Sequence, residues 1–182
     1  MFLKIKQILI TTLVLLLIGC ASMSNLAYKV SSRSDEFEGY TFTQMENNNL
    51  VGSGGIDGNI SLNASKYEKD GLALYSLIVV YRNTSNTWLF IEAGESLILL
   101  IDGQKYTLIS TIGSLEDRDV VNLGAFIMLT ESAMYQDAED VIRKIGNATS
   151  VKVKVKGKGS VERNLSKQNM QNFKDFISTH MQ

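Results

Sequence analysis

Asp102-Gly103 stands between two short apolar-rich runs, residues 97–101 and 105–109. An Asp-Gly pair supplies the positive φ values that both central positions of a two-residue type I′ turn require. The two runs therefore form a hairpin, and the chain must contain antiparallel sheet. The surrounding sequence extends that sheet. Residues 40–45 alternate apolar and polar, and a turn-rich stretch, 47–55, precedes a weaker strand at 59–64. Residues 72–81 are a dense Leu, Val and Tyr run of the kind found in a central strand. The turn signal Asn83-Thr84-Ser85-Asn86 leads to strand pattern again at 88–91, which would set Tyr81 opposite Trp88 as an aromatic cross-strand pair. After an exposed acidic loop at 116–119, residues 120–129 read as one further strand.

The remaining elements are mixed. Asp137 can cap a helix whose Ala138, Val141, Ile142 and Ile145 recur at helical spacing, with Gly146 placed to end it. Val151, Val153 and Val155 alternate with Lys152, Lys154 and Lys156, which describes a half-buried strand, and residues 157–160 form a turn. Ser166 can cap a last helix with an apolar stripe of Met170, Phe173, Phe176 and Ile177. The turns are made by Gly, Asn, Asp and Ser, since the chain has no proline. The expected fold is α+β: an antiparallel sheet or sandwich with two helices in the C-terminal part.

The N-terminus follows a different logic. Lys4 and Lys6 precede an almost wholly apolar run, residues 8–18, that stops at Leu17-Ile18-Gly19-Cys20. That run is shorter than the roughly 20 apolar residues of a spanning helix and fits a secretory signal segment. Leu17-Ile18-Gly19-Cys20 resembles the lipobox of bacterial lipoproteins. The resemblance implies cleavage between Gly19 and Cys20, a diacylglycerol thioether on the Cys20 sulfur and acylation of the new amino group. It further implies a membrane-held envelope protein, in a Gram-negative cell on the outer membrane facing the periplasm, because Ala21 follows the cysteine. The organisation is then 1–19 signal peptide, 20–39 lipidated cysteine and serine-rich tether, and 40–182 one globular domain. Cleavage removes two of the 18 Lys and Arg residues and no acid, leaving 163 residues with 16 cations against 19 carboxylates, a net charge of −3.

Composition narrows the chemistry. One Cys and one His offer little to a zinc site, no metal or other cofactor is indicated, and the charge balance does not suit nucleic-acid binding. His180 lies two residues from the C-terminus, a poor position for a catalytic triad. The segments 52–55 and 157–160 are glycine-rich but lack the Gly-Lys-Ser/Thr order of a phosphate loop, and 57–59 is too short for an EF-hand. No catalytic residue is assigned, although dispersed carboxylates (among them Glu92, Glu95, Asp102, Glu116, Asp117, Asp119, Glu131, Asp137, Glu139 and Asp140) leave a carboxylate-dependent hydrolase as one reading. Lys152, Lys154 and Lys156, extended by Lys158, could meet an anionic surface, or be a solvated strand face. Tyr81, Trp88 and Phe90 could line a surface for a partner or a ligand, or fill the core with Tyr75 and Tyr106. The leading expectation is a non-enzymatic interaction or scaffold module with an envelope protein partner, and the alternative a binding protein for an apolar or glycan ligand.

Overall fold

The computed structural model describes residues 27–50, 52, 58–84, 87–114, 117–122, 124 and 127–182. The lipobox, with Lys4, Lys6, Gly19 and Cys20, lies outside these residues, as do Ser53, Gly54, Gly55, Asp57, Ser85, Asn86 and Glu116.

The fold is α+β, built from two antiparallel sheets with two C-terminal helices. The first sheet contains β1 (Lys29–Asp35), β2 (Tyr40–Glu46), β3 (Asn59–Lys69), β4 (Leu72–Asn83), β7 (Arg118–Asn122) and β8 (Ile127–Tyr135), in the order β1-β2-β3-β4-β8-β7. The second contains β5 (Gly94–Ile101), β6 (Gln104–Ser110), β9 (Val151–Lys156) and β10 (Ser160–Asn164), ordered β10-β9-β5-β6. Helix α1 (Glu139–Asn147) precedes β9, and α2 (Lys167–His180) ends the chain. None of the described helices is long and apolar enough to cross a membrane.

The Asp102-Gly103 turn forms as expected. Both residues have positive φ, 48° and 84°, and Leu97 to Ile101 pair with Leu108 to Gln104. The turn has a second job. The Asp102 carboxylate accepts hydrogen bonds from the Thr149 N–H, the Thr149 hydroxyl and the Ser150 N–H, clasping the entry to β9. These bonds hold the Asp102 carboxyl below its usual range.

Sheet pairing explains the burial. Leu77, Val79 and Tyr81 of the central β4 face inward with Ile60, Leu62, Ala133 and Tyr135. They share one core with Leu97, Leu99, Val151, Val153 and Val155 of the second sheet and with Ile142, Ile145, Phe173 and Phe176 of the helices. Ser166 caps α2 by accepting from the Asn169 N–H, and the Asn169 side chain returns the bond from the Ser166 N–H.

Four expectations are corrected. The expected tether, 20–39, contains β1: Val30 to Asp35 pair with Met45 to Tyr40, so the sheet begins before Tyr40. The single strand expected at 120–129 is instead a hairpin, because Arg118–Asn122 pairs antiparallel with Ile127–Glu131; Arg118 and Asp119, expected in a loop, belong to it. Tyr81 does not face Trp88. It pairs with Ile60 and Glu131, and β8 takes the edge of β4 that residues 88–91 were expected to occupy. Finally, Asp137 has φ 54° and Ala138 is the N-cap of α1 without a side-chain cap, while the helix runs through Gly146 to Asn147. Gly146 serves packing: a Cβ there would meet Ile177 Cδ1 of α2 at 2.5 Å.

The turn-rich stretch also hides structure. Asn48 is fully buried and satisfied: its N–H meets Asn63 Oδ1 at 3.1 Å, its Nδ2 donates to the Leu62 carbonyl at 3.0 Å, and its Oδ1 accepts from Asn169 and Asn172. This asparagine network ties α2 to the first half of β3.

Candidate functional site

The segment from Thr87 to Ala93 joins the two sheets. It is not a strand, and a single carboxylate explains why. Glu131 lies mid-way along β8, faces inward and is 0% exposed. Its Oε1 accepts the Leu89 N–H at 2.5 Å and the Phe90 N–H at 3.0 Å; its Oε2 accepts the Ile91 N–H at 3.1 Å and the Ser114 hydroxyl at 2.7 Å. Three consecutive backbone donors are thus gathered at one side chain instead of along a strand ladder. Leu89 and Ile91 go into the core, and Trp88 and Phe90 remain half-buried.

Phe90 is held at φ 53°, a left-handed conformation that an aromatic residue seldom takes. Its ring lies between two cations: the Arg118 guanidinium at 4.7 Å and the Lys158 ammonium at 4.0 Å from the ring centroid. The Trp88 ring is 6.3 Å away, tilted at 47°. Arg118 comes from β7, and its Nε is 3.9 Å from Glu131 Oε2, an ion pair without a hydrogen bond that leaves Nε buried and unbonded. Lys158 comes from the β9–β10 turn, where its N–H donates to the Leu89 carbonyl at 2.8 Å. A side chain at Gly157 would collide with that carbonyl, since its Cβ would lie 2.1 Å away.

The expected aromatic surface is therefore divided. Tyr81 is core, its hydroxyl accepting from Asn83 Nδ2 at 2.6 Å, whereas Trp88 and Phe90 form a surface cluster with Arg118 and Lys158. The lysine row is also divided. Lys152, Lys154 and Lys156 share the outer face of β9, and Lys158 leaves them to cover Phe90. Sequence reasoning counts Glu131 only among the dispersed carboxylates and Arg118 only in an exposed loop, and their joint position in the β7–β8 hairpin distinguishes them from other charged residues.

The other carboxylates are engaged elsewhere or spread apart. Glu139 binds Arg143 at 2.9 Å, Asp140 pairs with Lys144, and Asp102 clasps β9. Among the described residues, no group of three or more His, Cys, Asp and Glu is placed to hold a metal ion. The outer face of the first sheet carries an open groove of about 390 Å3 lined by Arg33, Phe42, Glu46, Arg82 and Ser132, with one aromatic ring in it.

Comparison of the chain with protein-family models, curated proteins and solved structures finds no match in any of the three.

Proposed function

We propose that the protein is a lipid-anchored component of the cell envelope whose domain is a non-enzymatic interaction module. Its contact surface for an envelope protein partner is the cluster Trp88, Phe90, Arg118 and Lys158. The anchor reading is supported by the Leu17-Ile18-Gly19-Cys20 sequence. The contact reading is carried by one observation: Glu131 holds Phe90 in a strained conformation between two cations at the surface. Such strain amounts to about 1–3 kcal/mol and persists where surrounding structure over-determines it, which is common at binding sites. Trp, Phe and Arg are also the side chains enriched in protein interfaces, where a rigid presentation lowers the entropy lost on binding.

The test combines anchor and patch. Cys20→Ser should abolish lipid labelling and leave uncut precursor; normal membrane retention of that variant would overturn the anchor. Crosslinking of the lipidated protein in its native envelope should give a protein adduct that disappears in Trp88→Ala/Lys158→Glu while the variant keeps its thermal midpoint. An adduct unchanged by these substitutions would remove the patch from the interface.

A further inference from the structure

We propose that the open face of the β10-β9-β5-β6 sheet docks on an anionic lipid bilayer, so that the anchored domain lies against the membrane. The inference rests on the lipid-anchor reading above and adds an orientation to it.

The register builds the face. Lys154 stands opposite Ile98 and Lys152 opposite Leu100 across β9 and β5, and Leu100 stands opposite Lys105 across β5 and β6. An apolar centre is thus flanked by lysines on both sides, over a groove of about 460 Å3. Leu100 is 40% and Ile109 64% exposed, so neither is accounted for by the core.

Charge is segregated onto the same face. It carries Lys105, Lys152, Lys154 and Lys156 against Glu162 and the exposed Glu95 at the start of β5, in a chain whose 16 cations after Cys20 are outnumbered by 19 acids. Glu162 occupies Lys154 at 2.8 Å, and Lys105, Lys152 and Lys156 form no salt bridge among the described residues. Each such lysine is drawn to an anionic bilayer within a Debye length of its surface. Their aliphatic stems, with Leu100 and Ile109, can rest at headgroup level while the ammonium groups reach lipid phosphate.

The position of the anchor favours lipid as the occupant. The Tyr28 hydroxyl donates to the Asn172 carbonyl of α2 at 3.4 Å. From Asn172 back to Ser166 is six helical residues, about 9 Å, and the neighbouring Leu165 N–H bonds the Val151 carbonyl at 3.0 Å, beside Lys152. The chain therefore enters the domain beside α2, less than two helical turns from the Ser166 end of that helix. Only seven residues separate Cys20 from Tyr28, and that length of chain spans at most about 28 Å. An anchor that short keeps the face at high effective concentration over the bilayer, where weak contacts suffice.

The experiment uses the full lipidated protein in two kinds of vesicle, phosphatidylcholine alone and phosphatidylcholine mixed with phosphatidylglycerol, with lysine reactivity read by an amine-reactive label and mass spectrometry. Lys105, Lys152, Lys154 and Lys156 should label about fivefold more slowly on the mixed vesicles, with Lys174 of α2 unchanged, and high salt should remove the difference. In Lys105→Gln/Lys152→Gln/Lys156→Gln, the protection of Lys154 should vanish while the protein stays on the vesicles. Equal labelling on both vesicle types by bound protein overturns the docking and leaves the anchor standing. A wild-type protein that attaches to neither vesicle overturns the anchor and the docking with it.

Discussion

The Glu131 carboxylate reaches across 41 positions of sequence to take the Phe90 N–H at 3.0 Å. Leu89 and Ile91 give their N–H groups to the same side chain. This contact holds the sheet-to-sheet crossing in place and sets the direction in which Phe90 projects. Buried hydrogen bonds to a charged group are each worth about 1.5–3 kcal/mol, and their loss leaves desolvated donors behind. Glu131→Gln puts an amide donor where a donor is already present, so it should destabilise the fold by about 3 kcal/mol. Urea unfolding measures this directly. A shift below about 1 kcal/mol would show that the loop does not depend on the carboxylate.

Gly157 and Gly159 flank Lys158 and make opposite predictions. A Cβ at Gly157 would lie 2.1 Å from the Leu89 carbonyl oxygen, and one at Gly159 meets nothing within 4 Å. Because the carbonyl belongs to backbone pinned by Glu131, it cannot move aside cheaply. Gly157→Ala should therefore cost about 1–3 kcal/mol, and it should displace Lys158 from Phe90. Gly159→Ala should leave the unfolding midpoint within about 0.5 kcal/mol of wild type. Equal effects of the two substitutions would contradict the close approach.

Asn48 provides a third prediction. Removing its side chain in Asn48→Ala takes the buried acceptor from the Asn172 amide and leaves the Asn169 amide with the Asn49 carbonyl alone. One unsatisfied buried polar group costs about 1–3 kcal/mol, so the loss should lie at or above the middle of that range. Asn147→Ala, whose amide bonds the Arg143 carbonyl in an exposed position, should change stability little. Hydrogen exchange in α2 should rise in the first variant and not in the second.

These residues show what could be read from sequence and what could not. Local signals carried the Asp102-Gly103 hairpin, the Val-Lys alternation of β9 and the Ser166 cap, since each is decided within a few positions. Long-range competition decided the rest. Residues 88–91 have strand composition, but β8 took the β4 edge and Glu131 took their donors. β1 reads as a tether because its side chains are almost all exposed, and it is held by pairing with β2. Asn47, Asn48 and Asn49 look like turn chemistry, and only the approach of α2 turns Asn48 into a buried hub. The candidate patch was half legible. Trp88 and Phe90 stood out by type, and Arg118 became visible only when its loop proved to be a hairpin.

The final prediction concerns pH. His180 ends α2 with its ring centroid 5.1 Å from that of Phe176. Burial, with Lys66 adding a like charge, lowers its pKa below 6.5. The folded state thus resists a proton that the unfolded chain takes up. The stabilisation linked to this group is complete above pH 6.5 and is lost as pH falls from there through the depressed folded value. Because the ring is only partly buried, the effect is small. The carboxyls of Glu46, Asp102 and Glu162 are also held low, by the Ser31, Thr149 and Lys154 contacts first of all. Their contributions are complete above the ordinary carboxyl range and are lost only in more acidic solution. Two separate losses are therefore expected on acidification, and His180→Gln should remove only the first. Urea midpoints measured between about pH 7.5 and 5 in both proteins check this; a decline of the same size in the variant would mean that another group is responsible.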